Sequence, residues 1–110
     1  MSTQRLRVGQ VGLGYWGRNL VRVFDDVADL RWLCDASEER RAEFAERYSG
    51  ARITGDFGEL LAADDVDAVV IVTDHSSLDY ERLVDEASLV VDLRNATGAK
   101  GAAAEHVFKL

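Results

Sequence analysis

The sequence contains no proline and only one cysteine, Cys34, among its 110 residues. A single cysteine excludes an internal disulfide and a cysteine-based zinc site. The 13 basic and 20 acidic residues give a formal net charge of −7, which disfavours a nucleic-acid partner because neutralising phosphates needs clustered cations. No apolar run approaches the ~20 residues of a membrane-spanning helix, and residues 1–7 are polar, unlike a signal peptide. We therefore expect one cytoplasmic domain over residues 1–110, with no nucleic-acid or membrane partner.

A glycine-rich turn is the most informative feature that the sequence does contain. Residues 12–17 read GLGYWG, follow the apolar run Leu6–Val11 and open an amphipathic stretch. In the dinucleotide-binding fingerprint, Gly12 permits a tight turn, Gly14 lets the backbone approach a pyrophosphate, and Gly17 lets helix and strand pack closely. The helix N-terminus adds unpaired N–H groups and the positive end of its dipole. The pattern predicts a dinucleotide site.

An acidic residue completes this fingerprint. Asp35 lies 18 residues after Gly17, at the end of a second apolar run. A carboxylate at this place accepts hydrogen bonds from a ribose diol and repels a 2′-phosphate, which predicts NAD rather than NADP. The alternative is that Asp35 caps the next helix. Trp16 also has two interpretations, because it can stack on a cofactor or cover an open edge of the domain where a partner binds.

Strand-like and helix-like segments alternate along the chain. Connections of this length give parallel pairing, and right-handed crossovers give the strand order 3-2-1-4-5-6. We predict an α/β fold, a three-layer, doubly wound, Rossmann-like parallel sheet with a ligand crevice between the first and fourth strands. The six strands are predicted at Leu6–Val11, Leu30–Asp35, Ala51–Thr54, Val66–Thr73, Leu89–Leu93 and His106–Leu110. Helices are predicted at Tyr15–Ala28 and after the N-caps Ser37, Asp56 and Ser76 or Ser77. Residues 95–104 are predicted to form a loop or a weak helix.

Two family resemblances are carried by these motifs. About residues 5–72 resemble the N-terminal NAD-binding domain of the Gfo/Idh/MocA sugar oxidoreductases, in the stretches VGQVGLGYWGRNLVRVF, WLCDASEERRAEFAERY and TGDFGELLAADDVDAVVIVT. The GYWGRNL turn is similar to that of members acting on nucleotide sugars. The resemblance implies NAD binding by residues of the turn, of the second strand and of the fourth strand, namely Gly12, Gly14, Tyr15, Trp16, Gly17, Asp35 and Thr73.

About residues 66–110 instead resemble the C-terminal domain of the UDP-glucose and UDP-N-acetylsugar dehydrogenases, in DAVVIVTDHSSLDYERLVDEASLVVDLRNATG and the closing VFKL. The chain thus looks like a fusion with its crossover at residues 66–72. The catalytic motifs of both families are absent. Thr73-Asp74 replaces the Thr-Pro turn of the first family, and residues 92–95 (DLRN) replace the Glu-Lys-Pro motif that carries its catalytic lysine. The cysteine domain of the second family is also missing.

These observations favour an NAD(H)-binding Rossmann domain, related to nucleotide-sugar oxidoreductases, that is not catalytic alone. Two alternatives stay open: a cofactor-binding subunit of a nucleotide-sugar dehydrogenase that is active with a partner, and a UDP-sugar-binding regulatory module. We expect a homo-oligomer or a complex with a partner subunit, because a compact sheet leaves apolar surface where both families dock a second domain.

Several other polar side chains have both a chemical and a structural interpretation. His75 follows the fourth strand and is either a general acid or base, or a polar turn residue. Arg94 and Lys100 flank a loop after the fifth strand and either bind the phosphates of a nucleotide sugar or lie in solvent. His106, in the last predicted strand, is expected to be structural.

Two kinds of residue are expected to have no chemical role. Cys34 is predicted to be a buried, non-nucleophilic thiol because it lies in the strand WLCD. The neighbouring carboxylate of Asp35 is expected to raise the pKa of this thiol, which argues further against reactivity. The acidic pairs at residues 25–26, 64–65 and 85–86 lack the spacing of metal ligands. They are expected to keep the surface soluble, and no metal site is predicted.

Overall fold

Strands and helices alternate in the computed structural model, which describes residues 5–73 and 78–109. The strands are β1 (Arg7–Val11), β2 (Asp29–Cys34), β3 (Arg52–Thr54), β4 (Ala68–Ile71), β5 (Val90–Asp92) and β6 (Val107–Lys109). The helices are α1 (Tyr15–Val27), α2 (Glu38–Arg47), α3 (Phe57–Ala62), α4 (Tyr80–Glu86) and α5 (Gly98–Ala103). Within these described ranges, no helix has the length and apolar character needed to span a bilayer.

The six strands form one parallel sheet in the order β3-β2-β1-β4-β5-β6. This order confirms the predicted doubly wound topology. β1 pairs with β2 on one side and with β4 on the other, so the connections that follow β1 and β4 lead away from each other. Ligands of such sheets bind outside the carboxyl ends of the strands at this point of reversal. A ligand site is therefore expected at the carboxyl ends of β1 and β4.

Two apolar layers cover the two faces of the sheet. Because side chains alternate along a strand, neighbouring residues of β1 belong to opposite layers. Helices α1 and α2 pack on one face over buried residues that include Val8, Val21, Leu33, Phe44 and Val70. Helices α3 and α4 pack on the other face over buried residues that include Val11, Trp32, Leu60, Ile71 and Leu83.

The structure differs from the sequence-based expectation at the start of α4. Its N-cap is Asp79, whose carboxylate accepts a hydrogen bond from the backbone N–H of Arg82 at 3.0 Å, so the prediction of a serine cap was wrong. The proposed caps Ser76 and Ser77 lie outside the described residues. Aspartate satisfies the free N–H groups of a first helical turn as well as serine does, which is why the cap was not assignable from the pattern.

One part of the first face is less well covered. Val70, Val91 and Phe108 stand in register across β4, β5 and β6, and exposure increases outward from 2% at Val70 to 57% at Phe108. Helix α1, on the same side of the sheet, exposes Val23 and Val27. We refer to these apolar residues, Val91, Phe108, Val23 and Val27, as the open face.

Candidate functional site

A cavity of about 350 Å³ opens at the carboxyl edge of the sheet. It lies where the ends of β1, β2, β3 and β4 meet, as the topology predicts. Its walls include three predicted site residues. The lining residues are Val11, Gly12, Cys34, Asp35, Ala36, Arg40, Gly55, Asp56, Phe57, Thr73 and Leu78.

A larger recess of about 870 Å³ lies near the amino edge and contains none of the predicted site residues. Four of its charged side chains form two ion pairs. Arg7 and Asp67 form a two-point ion pair, with Nη2 and Oδ1 2.9 Å apart, and Arg31 pairs with Asp29 at 2.8 Å. These mutual pairs leave a charge-balanced surface, so we place the candidate site at the carboxyl edge.

The first glycine of the turn is required by its backbone conformation. Gly12 has a φ of +108°, in the region that side chains rarely tolerate. A Cβ at this position would also lie 3.0 Å from the Cβ of Thr73 and 3.2 Å from the carbonyl carbon of Val72. The N–H of Gly12 donates to the carbonyl oxygen of Cys34 at 2.8 Å. The tight turn expected at Gly12 is therefore present and tied to β2.

Gly17 and Gly14 meet different demands. A Cβ on Gly17 would lie 2.9 Å from the carbonyl carbon of Gly12 and closer still to its oxygen, so α1 packs against the turn as closely as predicted. Gly14 is the N-cap of α1 and offers no side-chain acceptor to the first turn, which also contains no acidic residue. The N–H groups at this helix start therefore lack a side-chain cap from the turn itself and form an environment suited to an anion.

Asp35 joins the end of β2 to the glycine turn. Its Oδ2 accepts a hydrogen bond from the N–H of Leu13 at 2.8 Å, and its Oδ1 accepts one from the N–H of Ser37 at 2.8 Å. Ser37 is the N-cap of α2. Asp35 is therefore not the cap of α2, as the alternative interpretation expected, but its carboxylate bonds the residue that is. It also fixes the turn 22 residues earlier. Each carboxylate oxygen retains a second lone-pair site for another donor.

Arg40 was not identified from the sequence as a site residue. Its Nη1 lies 3.8 Å from Oδ2 of Asp35 and would lie 3.6 Å from a Cβ on Gly14. The guanidinium is half-exposed and lines the cavity. No local pattern indicates this position, because Arg40 reaches the site only through the turn of α2 that carries it back over Asp35.

Gln10 is a second residue that the sequence reading missed. It lies in β1, is fully buried, and its Nε2 donates to the carbonyl oxygens of Gly12 at 2.9 Å and of Gly17 at 2.8 Å. Its Oε1 is buried with no hydrogen-bond partner within the described ranges. The signal was available, since Gln10 is a polar residue two positions before the turn, within the otherwise apolar second half of the run.

The remaining predicted site residues surround the turn. Tyr15 and Trp16 are 79% and 67% exposed, and their rings meet edge to face with centroids 5.8 Å apart. Both are therefore available for contact with a ligand or a protein. Thr73 is half-buried beside Gly12, and its carbonyl oxygen accepts a hydrogen bond from the hydroxyl of Tyr80.

Asp92, at the end of β5, is used internally. Its buried carboxylate accepts hydrogen bonds from the backbone N–H groups of Arg94, Ala96 and Thr97 and from the hydroxyl of Thr97. Burial alone would raise the pKa of Asp92, but these hydrogen bonds, led by that of the Thr97 hydroxyl, hold it below its ordinary value. The carboxylate is thus committed to shaping the loop that follows β5.

Other polar residues considered in the sequence lie away from the cavity. Lys100 pairs with Asp85 at 3.0 Å, and the ring Nε2 of His106 donates to the carbonyl oxygen of Val84 at 2.6 Å. His75 lies outside the described residues. Burial, followed by the charge of Asp35, raises the pKa of Cys34 to about 12, so its thiol is inert although it borders the cavity. No cluster of three metal-ligating side chains occurs among the residues described.

Comparison with known proteins gives a family and a set of related folds. Residues 6–91 match the family Gfo/Idh/MocA, described as oxidoreductases with an NAD-binding Rossmann fold. This match extends through β4 and α4 into β5. No curated protein matches the sequence.

Among solved structures, GenD2 from gentamicin A biosynthesis, in complex with NAD, is 26% identical, with a TM-score of 0.80 over 97% of this chain and 34% of that chain. The WlbA dehydrogenase of Bordetella pertussis, with NADH and UDP-GlcNAcA, is 25% identical, with a TM-score of 0.69 over 93% of this chain and 32% of that one. The WlbA dehydrogenase of Chromobacterium violaceum, with the same two ligands, is 21% identical and shares the fold, with a TM-score of 0.78 over 100% of this chain and 36% of that one. The chain spans about a third of the length of these structures.

Proposed function

Because this chain belongs to the Gfo/Idh/MocA family of oxidoreductases with an NAD-binding Rossmann fold, we propose that it binds NAD(H) at the carboxyl edge of its sheet. The observation that carries the proposal is the link between Asp35 and the glycine turn, in which Oδ2 of Asp35 accepts from the N–H of Leu13 at 2.8 Å. This bond supports the proposal because it holds the carboxylate of Asp35 beside the glycine turn, and in dinucleotide-binding folds an acid at this position contacts the ribose while the turn contacts the pyrophosphate.

The proposed roles follow the two halves of the site. Gly12, Gly14 and Gly17 shape the turn, and the N-terminus of α1 stabilises the pyrophosphate with its N–H groups and dipole. Asp35 accepts hydrogen bonds from the adenosine ribose, and Thr73 closes the crevice on the side of β4. Tyr15 and Trp16 contact the cofactor at the exposed start of α1. When bound, the nicotinamide supplies hydride chemistry, and the protein supplies the position.

We predict that the chain binds NADH more tightly than NADPH, by about tenfold, because the carboxylate of Asp35 repels a 2′-phosphate. The variant Asp35→Ala is expected to narrow this preference or reverse it. Without its carboxylate, Arg40 loses the anion 3.8 Å from its Nη1 and becomes available to a phosphate. Isothermal titration calorimetry with both cofactors measures the two affinities.

The double variant Asp35→Ala/Arg40→Ala is the matched control for this prediction. It is expected to lose the NADPH affinity that Asp35→Ala gains, while its NADH affinity equals that of the single variant. Equal affinities of the unmodified protein for NADH and NADPH would show that Asp35 does not select the ribose.

We also propose that the isolated chain does not transfer hydride. Dehydrogenation needs a general base held against the reacting hydroxyl, and the carboxylate of Asp92 at the end of β5 is already bonded to its own loop.

The first alternative function is a cofactor-binding subunit of a nucleotide-sugar dehydrogenase that becomes active with a partner, and a cytoplasmic location suits either role. The second alternative, a regulatory module for UDP-sugars, draws on the proposed resemblance of residues 66–110 to UDP-sugar dehydrogenases and on the UDP-GlcNAcA bound to the WlbA dehydrogenases.

We propose that the chain associates through its open face, as a homo-oligomer or with a partner subunit. Phe108 on the edge strand and Val27 on α1 are 57% and 62% exposed, and exposed apolar side chains on one side of a sheet favour an interface. Sedimentation velocity is expected to show a concentration-dependent species larger than the monomer, and Phe108→Glu is expected to shift it to the monomer. Glu105→Gln, at an exposed site outside the open face, is the control. A monomer at all concentrations, with no co-purifying subunit, would contradict association.

A further inference from the structure

We propose that Gln10 is a positioning residue, which holds the glycine turn in the one peptide orientation that presents Asp35 and the turn to a dinucleotide. The inference rests on the proposed function and extends it to a buried residue of β1 that touches no ligand. It is drawn from three observations. The amide of Gln10 donates two hydrogen bonds to the turn, and the peptide between Gly12 and Leu13 is bonded on its other side to Asp35. The Oε1 of Gln10 has no hydrogen-bond partner among the described residues.

The amide of Gln10 spans both ends of the turn. Its Nε2 donates to the carbonyl oxygen of Gly12 at 2.9 Å and to that of Gly17 at 2.8 Å. A primary amide has two N–H donors, so both are used on the turn. These bonds draw the carbonyl groups of Gly12 and Gly17 toward the protein interior.

A single peptide group connects Gln10 to Asp35. In a trans peptide the carbonyl oxygen and the following N–H point in opposite directions. The carbonyl of Gly12 points to Gln10, and the N–H of the same peptide, which belongs to Leu13, donates to Oδ2 of Asp35 at 2.8 Å. The peptide is therefore held from both sides, and rotating it would direct a carbonyl oxygen at a carboxylate.

The unpaired oxygen of Gln10 shows that this arrangement has a cost. Oε1 is buried with no partner among the described residues, and a buried acceptor without a hydrogen bond lowers stability. Turning the amide over would not help, because Oε1 would then face two carbonyl oxygens. An apolar side chain of similar size, such as methionine, would remove the cost but leave the peptide held by Asp35 alone.

The test compares Gln10→Met with Val90→Ala. Val90 is fully buried in the apolar layer on the opposite face of the sheet, and its register partners are Val69 and Val107, so its truncation lowers thermal stability away from Gln10 and the turn. Gln10→Met is expected to weaken NADH binding about tenfold, whereas Val90→Ala leaves the NADH dissociation constant unchanged. Gln10→Asn, which keeps an amide but shortens its reach, provides a second variant with the same expected loss.

Amide hydrogen exchange by NMR separates a local change in the turn from a general loss of stability. In Gln10→Met, the N–H of Leu13 is expected to lose protection, while the N–H of Gly12, bonded to Cys34, keeps it. Unchanged NADH affinity and unchanged Leu13 protection in both Gln10 variants, with NADH binding intact in the unmodified protein, would overturn the role of Gln10 alone. An unmodified protein that does not bind NADH would overturn the proposed function and, with it, this inference.

Discussion

Replacing Gly17 by alanine is expected to lower the free energy of unfolding by roughly 3 kcal/mol. The added methyl group would meet the Gly12 peptide, with 2.9 Å to its carbonyl carbon, and that peptide is held in place by the amide of Gln10. The two atoms nearest to this methyl group belong to the backbone of Gly12, and the methyl group is itself fixed to the backbone of α1. Relaxation must therefore move α1 away from β1. Urea unfolding followed by circular dichroism measures the change.

Two other glycines supply the controls for Gly17→Ala. A Cβ on Gly50 has no atom within 4 Å, so Gly50→Ala is expected to change stability by less than about 0.5 kcal/mol. A Cβ on Gly14 makes only an ordinary contact, 3.6 Å from Nη1 of Arg40, so Gly14→Ala is expected to fold and to weaken NADH binding. An unfolding midpoint of Gly17→Ala equal to that of Gly50→Ala would contradict the close packing described.

The second large effect is expected at Asp92. Asp92→Ala leaves four hydrogen-bond donors of the following loop without their acceptor, and two of the four belong to the buried Thr97. We expect a loss of about 3 kcal/mol. Asp92→Asn keeps the shape and one acceptor oxygen, so its loss is expected to be smaller. Asp64→Asn, at an exposed site, is expected to leave stability unchanged.

The stabilising effect of Asp92 depends on pH in a defined direction. Hydrogen bonding in the folded state holds the pKa of Asp92 below its ordinary value of 3.8, against the opposing effect of burial. Its stabilisation is therefore fully present above pH 3.8 and is lost as the pH falls through the lower folded-state pKa. Unfolding free energies measured from neutral to acidic pH are expected to converge between the unmodified protein and Asp92→Asn. Parallel pH profiles of the two proteins would contradict this assignment.

The sheet could be predicted from the sequence because its determinants are local or topological. Apolar runs gave the strands, and the handedness of the connections then fixed their order. The cap of α4 was misplaced because Asp79 and two serines compete within four residues, and periodicity does not separate them. The helix at α5 was left undecided because its sequence, GAKGAA, contains small residues without an apolar stripe.

The conformation of the candidate site was predictable only where it depends on the neighbouring backbone. Gly12 and Gly17 follow from the demands of a tight turn, and the bond from Ser37 to Asp35 is a two-residue pattern. The bond from Leu13 to Asp35 joins residues 22 positions apart, and Arg40 approaches Gly14 through tertiary packing. Such contacts depend on where β1 and β2 end relative to each other, which a one-dimensional pattern does not specify.

The two tryptophans are intrinsic fluorescence probes of two different parts of this protein. Trp32 is 4% exposed, with its indole N–H donating to Asp65 at 2.8 Å, whereas Trp16 is 67% exposed beside the glycine turn. Their emission therefore originates in environments of opposite polarity, blue-shifted for Trp32 and red-shifted and open to quenchers for Trp16. A phenylalanine in place of either one isolates the other, so events at the crevice and loss of the core become separately visible in one spectrum.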